Sequence, residues 1–320
     1  MHGLLAAVCG ALVTVAFGSA HAQTISIATL PQGSVFHTQG SIIAKVARDK
    51  DDVRAVVQPY GGTKAMLEAV EQGLAEFAID DVNDVVAAAR GDAEYKGRPL
   101  GNLRMALVLR PTPIGVFVRA NSDIRSIADL KGKRFPTGWA AFPLALAQIE
   151  AILAGGDLTW KDVRGVPVPE LIRAADDFAA GRLDATYFAV GGPKVAEVDA
   201  TVGGIRFLPV PDTAENLARI RKVRPAFYIT TVNPAPHLPG IKEPTSLVTW
   251  DNVLIVGKHV ADKNVEAVIR SIVDNKPELV KGYPPFAGFD PKAPAKPYPG
   301  VDYHPAAQRF YAERGLWPKN

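Results

Sequence analysis

The stretch that decides the fold runs from residue 24 to residue 89: TISIATLPQGSVFHTQGSIIAKVARDKDDVRAVVQPYGGTKAMLEAVEQGLAEFAIDDVNDVVAAA. It alternates short β-rich runs with runs in which apolar side chains recur at helical spacing. The pattern predicts three strands (24–28, 53–58 and 77–79) and three helices (40–48, 63–72 and 82–89). Strands that alternate with helices at this spacing are typical of parallel βαβ units.

A second α/β series begins after Pro111-Thr112-Pro113. Its predicted strands are 114–119, a short run around Phe135, 163–166, 185–190 and 205–208, and its predicted helices are 143–153 and 170–180. A proline-rich zone at 232–244 precedes a strand at 253–256, a helix at 265–273, an irregular region at 283–303 and a final helix near 305–314. We interpret this layout as two α/β lobes joined by two hinge crossings, with lobe I at 23–112 and 236–320 and lobe II at 113–235. The hinge strands are expected near 113–118 and within 232–256.

The composition indicates a soluble globular protein. The 320 residues are 48% hydrophobic and 22% charged, with a net charge of +3. The basic residues are scattered, so nothing points to nucleic-acid binding. An apolar run from Leu4 to Gly18, followed by Ala20-His21-Ala22, predicts a signal peptide at 1–22 that is cleaved on export to the periplasm. A retained membrane anchor is the alternative. The only cysteine, Cys9, lies in this segment, so a mature chain would have no disulfide or thiolate chemistry.

The chain carries no sign of an enzyme. It has no G-x-S-x-G elbow, no phosphate-binding glycine loop and no pair of histidines at metal-ligand spacing. We therefore expect no catalytic residues, no metal and no cofactor. A lyase or transferase would need a perturbed acid or base, and the only acids placed for that role are Asp80, Asp81 and Asp84, with no clear His or Lys partner.

Loops at the carboxyl ends of the predicted strands are the expected ligand site, because open α/β sheets bind ligands there. Glycines allow close approach of the backbone, and the free N–H groups at helix N-termini favour an anion. The ordinary alternative for each loop is a turn and helix cap, and for each aromatic residue a place in the core. The candidate ligand-binding residues are Gln32, Gly33, Ser34, Val35, Phe36, Tyr60, Gly61, Gly62, Thr63, Asp81, Asn83, Gly138, Trp139, Phe142, Tyr187 and Gly191.

Several motifs, in order along the chain, resemble those of one transporter family. They are Tyr60-Gly61-Gly62-Thr63, EQGLAEFAI at 71–79, VFVRANSDI at 116–124, DLKGKR at 129–134, GRLDA at 181–185, and the ending from Tyr303-His304-Pro305 to Gly315-Leu316. In this set the chain resembles the solute-binding subunits of TRAP transporters of the TAXI type.

The resemblance implies a type II periplasmic-binding-protein fold that closes on a small solute by hinge motion. It also implies that a monomeric receptor delivers an organic acid or amino-acid-like solute to a permease driven by an ion gradient. Two loops depart from the family pattern: TLPQGSVF at 29–36 and TGWAAF at 137–142 carry fewer hydroxyl groups and more aromatic surface. We therefore expect a less polar acid, aromatic or branched, rather than glutamate. A sensor module acting on a membrane histidine kinase or regulator is the alternative function.

Overall fold

A computed structural model describes residues 24–318 of the chain. The predicted signal peptide and Cys9 lie outside the described residues. Within them, ten strands are formed: β1 (Ile25–Thr29), β2 (Ala55–Pro59), β3 (Phe77–Asp81), β4 (Leu103–Arg119), β5 (Arg134–Gly138), β6 (Arg164–Val168), β7 (Thr186–Ala189), β8 (Ile205–Phe207), β9 (Tyr228–Val232) and β10 (Thr245–Gly257).

Ten α-helices connect these strands in the same part of the chain. They are α1 (Val35–Asp51), α2 (Thr63–Glu71), α3 (Val82–Arg90), α4 (Ala145–Gly155), α5 (Leu171–Ala179), α6 (Pro193–Val202), α7 (Ala214–Val223), α8 (Asp262–Val273), α9 (Lys276–Gly282) and α10 (Pro305–Glu313). The α/β class predicted from the sequence is confirmed. No helix of residues 24–318 is long and apolar enough to cross a membrane.

Eight strands form one mixed sheet, in the order β2-β1-β3-β10-β4-β7, with β8 also paired to β4 and β9 to β10. The predicted parallel pairing holds for β1, which lies between β2 and β3. Strands β5 and β6 form a separate parallel pair. The β1 and β3 strands are buried along their whole length, which fits a parallel sheet covered on both faces.

Two long antiparallel strands, β4 and β10, run through the whole sheet. One end of β10 pairs with β3 through 252–256 and its other end pairs with β9 through 245–249. Strand β4 pairs with β10 from residue 103 to residue 114 and with β7 from 114 to 117. The first half of the sheet (β1, β2, β3, 103–110 and 251–257) is thus continuous with the second half (β7, β8, β9, 111–119 and 245–250).

Both strands are longer than predicted. The predicted starts were residue 114 for β4 and residue 253 for β10, because prolines and polar residues interrupt the apolar runs. Pro111 and Pro113 are accommodated because, among the described residues, β10 is the only strand paired with this part of β4. A proline is tolerated where one edge of a strand is free of ladder hydrogen bonds.

The remaining elements follow the prediction with shifted ends. Helix α1 begins at Val35, five residues before the predicted start, because Ser34 caps it by accepting a hydrogen bond from His37 N (3.1 Å). Helices α6, α7 and α9 and strand β9 were not predicted. The second half of the sheet has an aromatic core in which Phe117 meets Phe178 and Phe207 edge to face.

Candidate functional site

The loops at the carboxyl ends of β1, β2 and β3 contact segments of residues 120–227, which connect β4 to β9. These residues and the second half of the sheet are called the second half of the molecule. Gly62, at the start of α2, packs against Ala141 and Phe142. The backbone N–H of Lys194 donates to Gly33 O (3.1 Å). These contacts place one surface between the two halves.

An acidic cluster ends β3 and begins α3 on this surface. Asp80, Asp81 and Asp84 are fully buried. Asp81 is the N-cap of α3 and accepts from Asn83 N (2.8 Å), while Asp84 lies in the first helical turn, where the helix dipole favours an acid. The sequence forms this cluster because short acids are good helix caps and a β-strand leads directly into the helix.

Arg224 brings a positive charge to the cluster from the second half. It follows α7, is buried, and its guanidinium forms an ion pair with Asp84 and lies 3.5 Å from Asp81 Oδ2. Thr63 Oγ1 also donates to Asp84 (3.0 Å). The backbone N–H of Ala226 donates to Asn83 Oδ1 (3.0 Å), so the segment after α7 is fixed to α3 at a second point.

Gln148 of α4 links the same acids to Tyr187. Its Nε2 lies 3.3 Å from Asp81 Oδ2 and 3.4 Å from Asp84 Oδ2, and its Oε1 accepts from the Tyr187 hydroxyl (2.6 Å). The polar network therefore includes α3, α4, β7 and the end of α7. None of these partners is a nucleophile paired with a base, and Arg224 cannot release a proton near neutral pH.

Burial and mutual repulsion change the acidity of the cluster. Burial, with the nearby Asp84 carboxylate, raises the pKa of Asp81 to about 7, although Arg224 acts in the opposite direction. Burial raises the pKa of Asp80 well above its ordinary value, and Asp84 and Asp81 add to the effect. Burial lowers the pKa of Arg224, but the attraction of Asp84 and Asp81 is larger, so that pKa is raised overall. Burial and mutual repulsion therefore favour the protonated forms of Asp81 and Asp80.

An apolar wall lies beside the polar network. Trp139, which has a positive φ of 47° after Gly138 at 85°, is fully buried. Its ring meets Phe142 and Tyr187 edge to face, each with centroids 6.3 Å apart. Its indole N–H donates to Pro136 O (3.3 Å).

The structure thus brings together nine of the sixteen candidate residues. They are Gly61, Gly62, Thr63, Asp81, Asn83, Gly138, Trp139, Phe142 and Tyr187.

The other candidates lie apart from the acidic cluster. Gln32 is exposed, and it lines a groove of about 530 Å³ between α1 and α6 together with Gly33 and Lys194. Gly191 O accepts from the Tyr283 hydroxyl (3.1 Å). The remaining four are Ser34, which caps α1, Val35 and Phe36, which are buried in its first turn, and Tyr60, whose hydroxyl donates to Gln58 Oε1 (3.3 Å).

Sequence reasoning did not select Gln148 or Arg224. Gln148 lies in an apolar helix, where a buried amide needs a partner, and that signal was available. Arg224 lies in the run RKVRPAF and is indistinguishable there from exposed basic residues. A second groove, of about 430 Å³, is lined by residues of α3 and by residues 223–226. Residues 24–318 hold no group of three or more His, Cys, Asp or Glu arranged to bind a metal ion.

Comparison with known proteins identifies the family. Residues 27–315 match the NMT1-like family. The chain belongs to this family. A solved periplasmic transporter structure has a TM-score of 0.59 to it at 14% identity, covering 91% of this chain and 94% of the other. The periplasmic binding protein BugD has a TM-score of 0.58 at 10% identity, with coverages of 92% and 93%.

A third solved structure is the alkanesulfonate-binding protein SsuA from Xanthomonas axonopodis pv. citri bound to MOPS. Its TM-score is 0.52 at 17% identity, and the match covers 92% of this chain and 94% of that one. At these identities the likeness shows the fold, and the predicted periplasmic-binding-protein fold is confirmed. The resemblance to the TAXI type stays a prediction.

The NMT1-like chain needs a glycine at position 62 for the contact between its halves. Gly62 is extended (φ −165°), so alanine fits the local backbone, but a Cβ would lie 2.1 Å from Ala141 O and 2.8 Å from Phe142 Cα. Gly62→Ala should keep the melting temperature and hold the two halves further apart, giving a larger radius of gyration by X-ray scattering. Gly101→Ala, where nothing lies within 4 Å of the new atom, is the matched control. A radius equal to that of the wild type in both variants would contradict the expectation.

Removing the cation from the acidic cluster should be costly. Arg224→Met leaves Asp84 and Asp81 buried without a counter-charge, and breaking a buried pair typically costs about 3–5 kcal/mol. In an Asp84→Asn background the same substitution should cost clearly less. Urea unfolding of the wild type, both single variants and the double variant gives the coupling energy. Strictly additive costs would show that the ion pair does not link the halves.

The acidic cluster should also give a pH dependence of known sign. From about pH 4 to about pH 7 the folded protein keeps a proton on Asp81 that the unfolded chain releases, so the free energy of unfolding falls as pH rises. Asp81→Asn stays neutral and still caps α3. The melting temperature of Asp81→Asn minus that of the wild type should therefore increase steadily from pH 4 to pH 7. The exposed Asp212→Asn is the control, and parallel curves for wild type and Asp81→Asn would refute the assignment.

Proposed function

We propose that this protein is an extracytoplasmic receptor that captures a small organic carboxylate between its two halves and passes it to a membrane transporter. The observation that carries the proposal is the surface between the halves, where buried polar groups of β3 and α3 face Gln148, Tyr187 and Arg224. In the proposed division, lobe I comprises 23–112 and 236–320 and lobe II comprises 113–235. Strands β4 and β10 are then the hinge.

In the proposed closed form, the solute is buried beside contacts that the two halves already make with each other. Lys194 N donates a hydrogen bond to Gly33 O, and Gly62 packs on Ala141. In each contact the two partners belong to opposite halves, so both contacts break when the molecule opens. A ligand that binds the closed form better than the open form shifts the population toward closure. The two grooves, of about 530 and 430 Å³, have volumes typical of small-molecule sites.

The wall formed by Trp139, Phe142 and Tyr187 supports a less polar solute. Edge-to-face aromatic surfaces bind an aromatic or branched body, while hydroxyl-rich loops would favour a polar chain. The proposed solute is therefore an aromatic or branched monocarboxylate. SsuA, which shares the fold, binds alkanesulfonates, so sulfonates belong in the same test.

The transporter partner follows from the sequence motifs. The resemblance to TAXI receptors supports a TRAP permease driven by an ion gradient. We propose export to the periplasm, delivery of the solute as a monomer, and recognition of the closed shape by the permease. Reconstituted uptake that requires ATP instead of an ion gradient would rule out this class of permease.

Solute binding should be visible as stabilisation and compaction. At a concentration 100 times the dissociation constant, a ligand adds about 2.7 kcal/mol to the free energy of unfolding. A thermal-shift screen of the chain from Gln23 against monocarboxylates, dicarboxylates, amino acids and sulfonates should select aromatic or branched monocarboxylates, and X-ray scattering should show compaction with the same compounds.

The Gly62→Ala variant gives the control for this screen. It should lose both the thermal shift and the compaction. Selection of dicarboxylates or glutamate would overturn the solute class. A folded protein that responds to no compound would overturn the receptor function and favour a sensor or protein-binding role.

A further inference from the structure

A second buried polar cluster lies where β4 and β10 pass between the halves. Arg110 of β4 pairs across the ladder with Asn252 of β10, and Thr112 pairs with Trp250. Asn252 also donates to Gln39 of α1 (3.1 Å). All of these side chains are at least nine-tenths buried, with Arg110 only 4% exposed.

The hydrogen bonds of this cluster fix which atoms remain free. The indole N–H of Trp250 can only donate, and it donates to Asn252 Oδ1 (2.6 Å). Asn252 must then use its amide nitrogen toward Gln39, whose Oε1 accepts. The Gln39 Nε2 is left over as a donor, and it is buried with no partner among the described residues.

Arg110 is the most unusual member of the cluster. Its Nη1 donates to Pro111 O (2.7 Å), and its guanidinium lies 5.6 Å from the centre of the Tyr283 ring. Its Nε and Nη2 are buried and make no hydrogen bond of good geometry within residues 24–318, although the Tyr283 hydroxyl lies near enough to favour its charged form, and no carboxylate there forms an ion pair with it. Arg224, the comparably buried arginine, has two aspartates beside it. A buried guanidinium without a counter-charge is costly, so its retention calls for a ligand that supplies one.

We infer that Arg110, Gln39 and Thr112 form an anion subsite that binds the carboxylate of the solute. The Thr112 hydroxyl is likewise buried and unpartnered in the described chain. The free groups are two guanidinium N–H groups, one amide NH2 and one hydroxyl, all of which can donate. A carboxylate has two acceptor oxygens and no donor, and it matches the forked guanidinium geometry. An amine would find no acceptor among the nitrogens.

The subsite lies beside the acidic cluster, on the neighbouring strands of the same sheet. Asn252 pairs with Asp81 of β3 on one side and with Arg110 of β4 on the other. Two strand spacings, about 10 Å in total, therefore separate the backbones of Asp81 and Arg110. The inference rests on the proposed receptor function for the identity of the solute.

The test combines affinity with the stability of the ligand-free protein. Benzoate and 3-methyl-2-oxobutanoate are titrated calorimetrically, with benzamide as the uncharged counterpart. Hydrogen bonds to charged groups contribute about 1.5–3 kcal/mol, so Arg110→Met should weaken carboxylate binding about 10- to 100-fold and leave benzamide unchanged. Thr112→Val should weaken it about 3- to 10-fold, the range for a neutral hydrogen bond. Arg104→Met removes the same charge from the same strand and is the matched control, because within residues 24–318 the Arg104 side chain donates hydrogen bonds to Gly101 O and Leu103 O.

The melting temperature separates a binding role from a structural one. Without ligand, Arg110→Met should melt at or above the wild-type temperature, because an uncompensated buried charge is removed. A melting temperature several degrees lower, with carboxylate affinity retained, would show that Arg110 serves the packing against Tyr283 and would overturn the subsite. If Arg110→Met does not fold, Arg110→Lys, which keeps the charge and loses the fork, should still reduce carboxylate affinity.

A small probe distinguishes failure of the subsite from failure of the receptor proposal. Formate carries the carboxylate alone, and it should shift the Nε–H resonance of Arg110 in nitrogen–proton NMR spectra of the wild type. If formate shifts the Arg110 resonance but no larger acid causes closure, the result would support the subsite and refute the receptor function. Closure by a larger acid, with unchanged affinity in Arg110→Met and no shift with formate, would leave the receptor function standing and refute the subsite.

Discussion

The antiparallel pairing of β4 with β10 is the constraint on which the rest of the molecule depends. Their register joins residues 103–114 to 248–257 and makes one sheet of what would otherwise be two. The register shifts between Asn252 and Val253 and between Leu254 and Ile255 interrupt the ladder close to the crossing. Such irregularities bend and twist a strand pair, and they lie close to the proposed hinge.

The buried charges of the site are arranged for function at some expense of stability. Asp81 and Asp84 share Arg224, while Asp80 and a second buried arginine, Arg110, have no ion pair within residues 24–318. A protein selected for stability alone would place apolar residues of similar volume there, since buried ion pairs seldom stabilise a fold relative to such replacements. Orphaned polar atoms and raised carboxyl pKa values concentrate at the crossing of the halves, as expected of a binding surface.

The sequence predicted what periodicity and caps determine, and missed what depends on contacts between distant segments. The βαβ order from 24 to 89 was readable because each strand and helix has its own apolar pattern. Strand β4 was not, because its prolines are acceptable only when the neighbouring strands are known. The loop glycines were found because backbone geometry needs them. Arg224 meets Asp84 across 140 positions of the chain, and no local pattern encodes that pairing. Arg110 had a readable signal, a charged residue inside the apolar run MALVLRP, and it was overlooked because no strand was assigned to that run.

In the proposed hinge motion, the position of the ion pair determines how strongly a solute controls closure. Asp84 belongs to α3 and Arg224 to the segment after α7, so the proposed opening would return both charges to water and closing would remove them again. Desolvation then opposes the Coulomb attraction, and the two are of similar size for a buried pair. The free energy difference between open and closed forms is therefore small compared with either contribution. A ligand shifts such an equilibrium only through its differential affinity for the two forms. This differential affinity comes from contacts that exist only in the closed form. The contacts that the two halves offer jointly around Gln148 and Tyr187 are of this kind.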